Sequence, residues 1–271
     1  MELFTNYLYQ VVFTVGVIVL FGFLIALCRR GFCALMGRSG PTILLITGAV
    51  GTPIHELSHA LFCLIFGHKI REIKLYRPGA NDGALGYVTH TFNPKNIYHQ
   101  IGNFFIGIAP ILGGSGMLML LALLMVPQTF GGIMSDIGSV GGFAGADGLA
   151  FAGELFAAAW SIFLRIFDFS EASNAWRWIF IVLALMISSH MELSGADIKG
   201  GIKGLFILLG ILLVVDTALY FIYLPALVGM TSAFISAGIA LMSFLMMAGI
   251  FSLALLLIAL VVKMISIPFK K

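Results

Sequence analysis

The sequence predicts an all-α polytopic membrane protein, with about six transmembrane helices and a short cytoplasmic β-hairpin. Three observations predict it. Of 271 residues, 60% are hydrophobic and only 10% are charged, a balance foreign to most soluble domains. Mean hydropathy is +1.07. The apolar residues come in runs near the ~20 residues needed to cross a hydrocarbon core. Gly-rich or polar segments separate the runs, so the chain forms one bundle (1–271) rather than a string of soluble domains.

The runs place spans near 7–28, 41–67, 101–126, 175–191, 204–225 and 232–264. The first ends in Arg29-Arg30 without a small-residue cleavage site, so no cleavable signal peptide is expected. The second contains "GTPIHELSHALFCLIFG", residues 51–67, with Gly51 and Pro53 placed to kink it. Residues 68–100 are polar. "PGANDG" lies there between two strand-like stretches, 69–76 and 84–92, which predicts a hairpin over 68–92. The 127–174 insert divides into a Gly-rich flexible loop and an interfacial amphipathic helix carrying Glu154, Arg165 and Asp168. The last run, 232–264, is long enough to tilt. The organisation is thus a core over 41–201, an extracytoplasmic insert over 127–174, and accessory helices over 7–28 and 204–264.

Charge sets the orientation. The net charge of +3 is small and its carriers lie mainly in loops, which suits membrane orientation rather than a nucleic-acid footprint. With both termini cytoplasmic, ten of the 15 basic residues fall on that side: Lys69, Arg71, Lys74, Arg77, Lys95, Lys199, Lys203, Lys263, Lys270 and Lys271. The Arg29–Arg38 loop runs against this and is outvoted. A multi-pass protein of a prokaryotic cytoplasmic membrane is expected, with its site toward the cytoplasm.

His55, Glu56 and His59 form HExxH. On a helix the two histidines sit at i and i+4, so both imidazoles can grip one metal ion. Glu56, offset by one position, can act as general base on a metal-activated water. The setting sharpens the pattern, because a central acid or base in a membrane helix costs on the order of 2.5–3.5 kcal/mol on insertion scales. The competing reading, two core histidines satisfied by neighbours and a glutamate in a crevice, explains this coincidence less well.

Catalytic zinc takes a third protein ligand and keeps one open position. "SSHMELSGADIKGG", residues 188–201, offers His190, Glu192 and Asp197. Asp197 is favoured as the ligand over a solvated helix-end aspartate. His190 and Glu192 are alternative ligands or groups that orient one. Asp216 sits inside a span without a pattern around it and is left unassigned. Cys63 is read as a small buried hydrophobe. His68, His90 and His99 are read as solvated or hairpin hydrogen-bonding residues. The cysteines, Cys28, Cys33 and Cys63, have the spacing of neither a metal knuckle nor a disulfide framework. Gly200 and Gly204 could permit close helix packing.

These residues resemble the site-2 protease family of intramembrane zinc metalloproteases, and more closely its small zincin-like relatives. "HELSH" in a membrane helix, "IGIAPILGG" (residues 106–114) and "SGADIKGG" occur in the family's order. The resemblance covers roughly 41–201. It implies a Zn2+-dependent endopeptidase acting on membrane proteins or peptides within or beside the bilayer. It implies zinc on His55, His59 and Asp197, Glu56 as base, and a hairpin edge that takes the substrate as an added strand. Two departures touch substrate handling: Pro110 is not followed by the family's Asn, and the Asp segment lacks its Asn-Pro run and Asp-Gly pair. The substrate-binding residues, any gating partner and the oligomeric state are not specified by the sequence. Alternatives are a CaaX-type membrane zinc endoprotease with Glu192 as ligand, or a non-catalytic metal-binding adaptor or transporter. A di-iron desaturase would need more clustered histidines than these six.

Overall fold

A computed structural model describes residues 2–80, 83–138, 148–168, 170 and 172–266. The protein is 83% helical, with one small two-stranded sheet. Helices α1 (Glu2–Val11) and α2 (Val17–Met36) join through a π turn at Val12–Gly16. Gly37, at φ 54°, breaks the run after α2, and a 3₁₀ turn at Gly37–Ser39 leads into α3 (Gly40–Ile65). Strands β1 (Lys69–Lys74) and β2 (Tyr87–Thr91) follow, then α4 (Ile97–Met125), α5 (Pro127–Gly138) and α6 (Gly148–Ile166). The chain continues through α7 (Ala175–Ser188), α8 (Gly195–Ile222) and α9 (Leu224–Ser266).

Local chemistry sets the boundaries. Pro41 stands at the start of α3, where its missing N–H costs nothing. Gly67, at φ 69°, ends that helix: the His68 amide donates to the Cys63 carbonyl (2.8 Å) and the Gly67 amide to the Leu64 carbonyl (3.2 Å). This is a Schellman closure, which turns the chain back under the last helical turn. Asn96 caps α4 and Asn174 caps α7, each side chain accepting a backbone N–H two residues on. Ser194 and Asp197 form a reciprocal capping box at the start of α8.

The hairpin pairs Lys69 with Thr91 and Lys74 with Tyr87, with a bulge between Ile70 and Glu72. Gly79 and Gly83 take positive φ on either side of its turn, of which residues 81 and 82 lie outside the described part.

Helix α4 is the axis of the bundle, packing against α3, α8, α7 and α9. Its small residues permit this. A Cβ at Gly107 would lie 2.6 Å from the Asp197 carbonyl oxygen of α8, and one at Gly113 would lie 2.7 Å from Ser58 Cβ of α3. The largest core cluster joins Ile25, Leu118, Phe180, Met247 and Phe251. The outer faces are apolar as well: Phe206, Val214, Phe221 and Ile222 of α8 are 66–80% exposed, a surface suited to lipid rather than water.

Several expectations change. Among the described residues, four continuous helical stretches are long and apolar enough to cross a membrane: Glu2–Ile65, Ile97–Met125, Gly195–Ile222 and Leu224–Ser266. The first contains the Gly37 break. The expected span at 175–191 is the 14-residue α7, short of the ~20 residues a crossing needs. The expected Gly-rich loop, 131–148, is in part helix, since α5 runs on to Gly138. Pro127 starts α5, and Thr129 and Ile133, one turn apart, are buried. Residues 139–147 of the Gly-rich stretch lie outside the described part. Helices α5 and α6 pair through Asp136, which accepts from Arg165 Nε (2.6 Å) and Ser161 Oγ (2.8 Å). Gly200 faces open space, whereas Gly201 and Gly204 lie against the α4 backbone.

Candidate metal centre

Helix α3 carries His55, Glu56 and His59 into the interior. One turn apart on one face, the imidazoles bring their Nε2 atoms to 3.2 Å from each other. His59 Nε2 is 3.4 Å from Asp197 Oδ1. The ligand atoms of His55, His59 and Asp197 all lie within 4.8 Å of one another. Ligands at 2.0–2.2 Å from a tetrahedral zinc stand about 3.3–3.5 Å apart, so the donor set fits that ion.

Each ring is oriented from behind. His55 Nδ1–H donates to the His190 carbonyl (2.7 Å) and His59 Nδ1–H to the Ile106 carbonyl (2.7 Å). A carbonyl only accepts, so both protons sit on Nδ1 and both Nε2 lone pairs face the centre. The two carbonyls are free for reasons of backbone chemistry. Pro110 lies four residues after Ile106 and has no N–H to close that helical bond. His190 lies just past the end of α7, beyond its helical ladder. Asp197 is fixed by its cap: Oδ2 accepts from the Ser194 amide at 2.8 Å, which leaves Oδ1 to the histidines.

The other residues singled out in the sequence take different places. The His190 side chain lies 3.0 Å from Thr47 Oγ1 on the wall of the same cleft, and what it gives His55 is its carbonyl. Glu192 forms an ion pair with Arg29 of α2. Asp216 is wholly buried and accepts from Gln10 Nε2 at 3.2 Å, far along α8 from the centre. His68 is buried rather than solvated, stacked on Phe92, while His90 and His99 sit beside it at the hairpin base. Cys63 is fully buried, as expected of a small hydrophobe, yet it lies beside His68 and His90. The Ile106 carbonyl escaped sequence reasoning, although Pro110 four residues on is its signal.

A cleft of about 510 Å³ opens onto the centre. Thr52, His55, Glu56 and His59 form its floor, residues 83–88 of the hairpin arm one wall, and Glu192, Ser194 and Asp197 another. Glu56 is only 6% exposed, and a Cβ at Gly86 would lie 2.8 Å from its Cγ. The hairpin arm therefore leans directly on the Glu56 side chain, and a Cβ there would also meet Thr52 and the Lys74 carbonyl oxygen, so only glycine allows that approach.

Residues 48–159, less than half of the chain, match the family model "DUF3267: Putative zincin peptidase". The match includes both histidines and Glu56 and ends before Asp197. No curated protein and no solved structure matches the chain. The family description supports a zinc-dependent peptidase and implies zinc as its cofactor. It does not extend to the site-2 protease type.

Proposed function

We propose that the protein is an intramembrane zinc endopeptidase of the site-2 protease type. Its substrates would be membrane proteins or peptides that enter from the bilayer. The observation that carries this reading is the convergence of His55, His59 and Asp197 beside a buried Glu56, inside apolar helices.

His55, His59 and Asp197 would hold the zinc, with their free lone pairs already aimed inward. Bound there, zinc supplies Lewis acidity, acidifying a water and polarising the scissile carbonyl. Glu56 takes the proton of the attacking water and hands it to the leaving amine. The apolar helices around the cleft limit competing water, which strengthens the electrostatics of each step. The hairpin arm supports a substrate strand: its residues 83–88 line the cleft, and strand addition exposes a peptide bond that a helix would shield. The Lys and Arg residues of the hairpin and of the start of α8 support a site that faces the cytoplasm. The CaaX-type alternative loses ground because Glu192 is engaged with Arg29. A purely structural metal site has no use for Glu56.

The test is cleavage in a native membrane. Wild type and Glu56→Gln are expressed at equal levels, and newly formed peptide N-termini are labelled and sequenced. The reading expects termini within or beside apolar segments with wild type, and a loss of about 10²–10⁴-fold in their rate with Glu56→Gln. Equal yields from the two chains would refute a peptidase.

A further inference from the structure

Cys63, His68 and His90 form a second cluster whose ligand atoms lie within 4.8 Å of one another. We propose that this cluster is a second transition-metal site, taking a zinc-class divalent ion, which ties the hairpin base to the catalytic helix.

The backbone builds the site. Cys63 occupies the last full turn of α3, one turn beyond His59. The Schellman closure at Gly67 folds the chain so that the His68 amide meets the Cys63 carbonyl. Strand β2 then returns His90 opposite Ile70, with His90 Nδ1 3.0 Å from His68 Nδ1. Two nitrogens on a tetrahedral zinc stand about 3.3 Å apart, so a small opening of this pair admits an ion.

The second observation is how His68 is oriented. Its Nε2–H donates to the His99 carbonyl at 3.0 Å, which leaves the Nδ1 lone pair facing His90 and Cys63. The rings of His55 and His59 are held in the same manner, with one nitrogen on a backbone carbonyl and the other aimed at a metal. Phe92 stacks on His68 with ring centroids 5.0 Å apart, and Gly102 lies close to His68 Nε2, so the ring cannot turn freely. Cys63 is fully buried and His90 lines the main cleft, so one wall is dry and the other gives an ion its way in.

The ligand chemistry selects the ion. A thiolate with two imidazoles favours zinc or its borderline neighbours over magnesium and calcium. On binding, the Cys63 thiol gives up its proton as the sulfur–metal bond forms. His90 moves its proton from Nδ1 to Nε2, and a water completes the four-fold shell. The site would pin β2 to α3 and so fix the arm that leans on Glu56. This proposal concerns different ligands from the peptidase reading, and either can fail alone.

The full-length chain, stripped with chelator in detergent, is titrated with Co2+ and separately with Zn2+. Wild type should bind two ions. Its cobalt form should show sulfur-to-cobalt charge-transfer absorption in the near ultraviolet. The band should persist in His59→Ala and in the Cys28→Ser/Cys33→Ser chain, and should vanish in Cys63→Ser, with stoichiometry falling from two to one. Because the wild-type band needs no substitution, a poorly folded variant cannot decide the matter. One ion per chain without a thiolate band would overturn the second site and leave the first standing. A band that survives Cys63→Ser would overturn it as well. One ion per chain with the thiolate band, unchanged in His59→Ala, would leave the second site standing and remove the first.

Discussion

Ile106 has no helical donor at position 110, because proline carries no N–H, and His59 takes the vacant carbonyl at 2.7 Å. The tautomer of His59 that turns its Nε2 lone pair toward His55 and Asp197 thus rests on a proline in the neighbouring helix. Pro110→Ala restores a competing amide and should weaken zinc affinity about 10–100-fold while the helix remains intact. Equilibrium dialysis against a zinc buffer measures this, and unchanged affinity would remove Pro110 from the account. The sequence made His55, Glu56 and His59 legible because a local i, i+4 pattern encodes them. Asp197 was legible as one of three nearby candidates. Choosing among His190, Glu192 and Asp197 required tertiary information: the Arg29 partner of Glu192 and the Thr47 partner of His190 come from distant helices. Backbone acceptors such as the Ile106 carbonyl leave no side-chain signature, so a residue pattern overlooks them.

At the scale of elements, the site depends on how closely α4 approaches α3 and α8. Gly107 sets one approach, since a Cβ there would lie 2.6 Å from the Asp197 carbonyl oxygen. Gly107→Val should push α8 away, costing about 1–3 kcal/mol of stability and a disproportionate share of bound zinc. Thermal melting with parallel metal analysis checks both. The helices and the hairpin were legible from hydropathy and turn residues. Helix α5 was not, because glycines 131 and 132 look like loop while its stability comes from a partner helix. That partnership is ionic in part. Burial raises the Asp136 carboxyl, but hydrogen bonds from Arg165 and Ser161 and the guanidinium charge outweigh it and hold the group below the usual carboxylate range. A depressed folded value means the contribution is full above the ordinary carboxylate range, near ~4, and fades as pH falls through the lower folded value. The protection of the α5 amides, with exchange corrected for its intrinsic pH dependence, should therefore hold down to about pH 4 and fall below it. In Asp136→Asn that acid-dependent step should be absent, with a constant loss of about 0.2–1 kcal/mol. An identical acid response in both chains would contradict the pairing.

At the scale of the molecule, polarity is inverted relative to a soluble protein. Side chains such as Phe221 and Ile222 are outermost, while Gln10, Glu56, His59, Arg177 and Asp216 are inside. The three tryptophans, 160, 176 and 178, are 55%, 61% and 42% exposed on α6 and α7, where an aromatic belt would meet the headgroups. Reconstitution into bilayers with brominated acyl chains should quench their fluorescence, and unquenched emission would place these helices outside the membrane. The number of spans was the least legible property, since hydropathy marks apolar runs without fixing where a helix such as α7 stops.

The most direct test of the central claim is zinc content in a Cys63→Ser background, where the catalytic centre alone is counted. His59→Ala, Asp197→Ala, Glu192→Ala and Glu56→Gln are each added and assayed by elemental analysis of monodisperse protein. The account predicts about one zinc per chain in the parent, Glu192→Ala and Glu56→Gln, and none in His59→Ala or Asp197→Ala. Zinc retained without His59 and Asp197, or lost with Glu192, would contradict it.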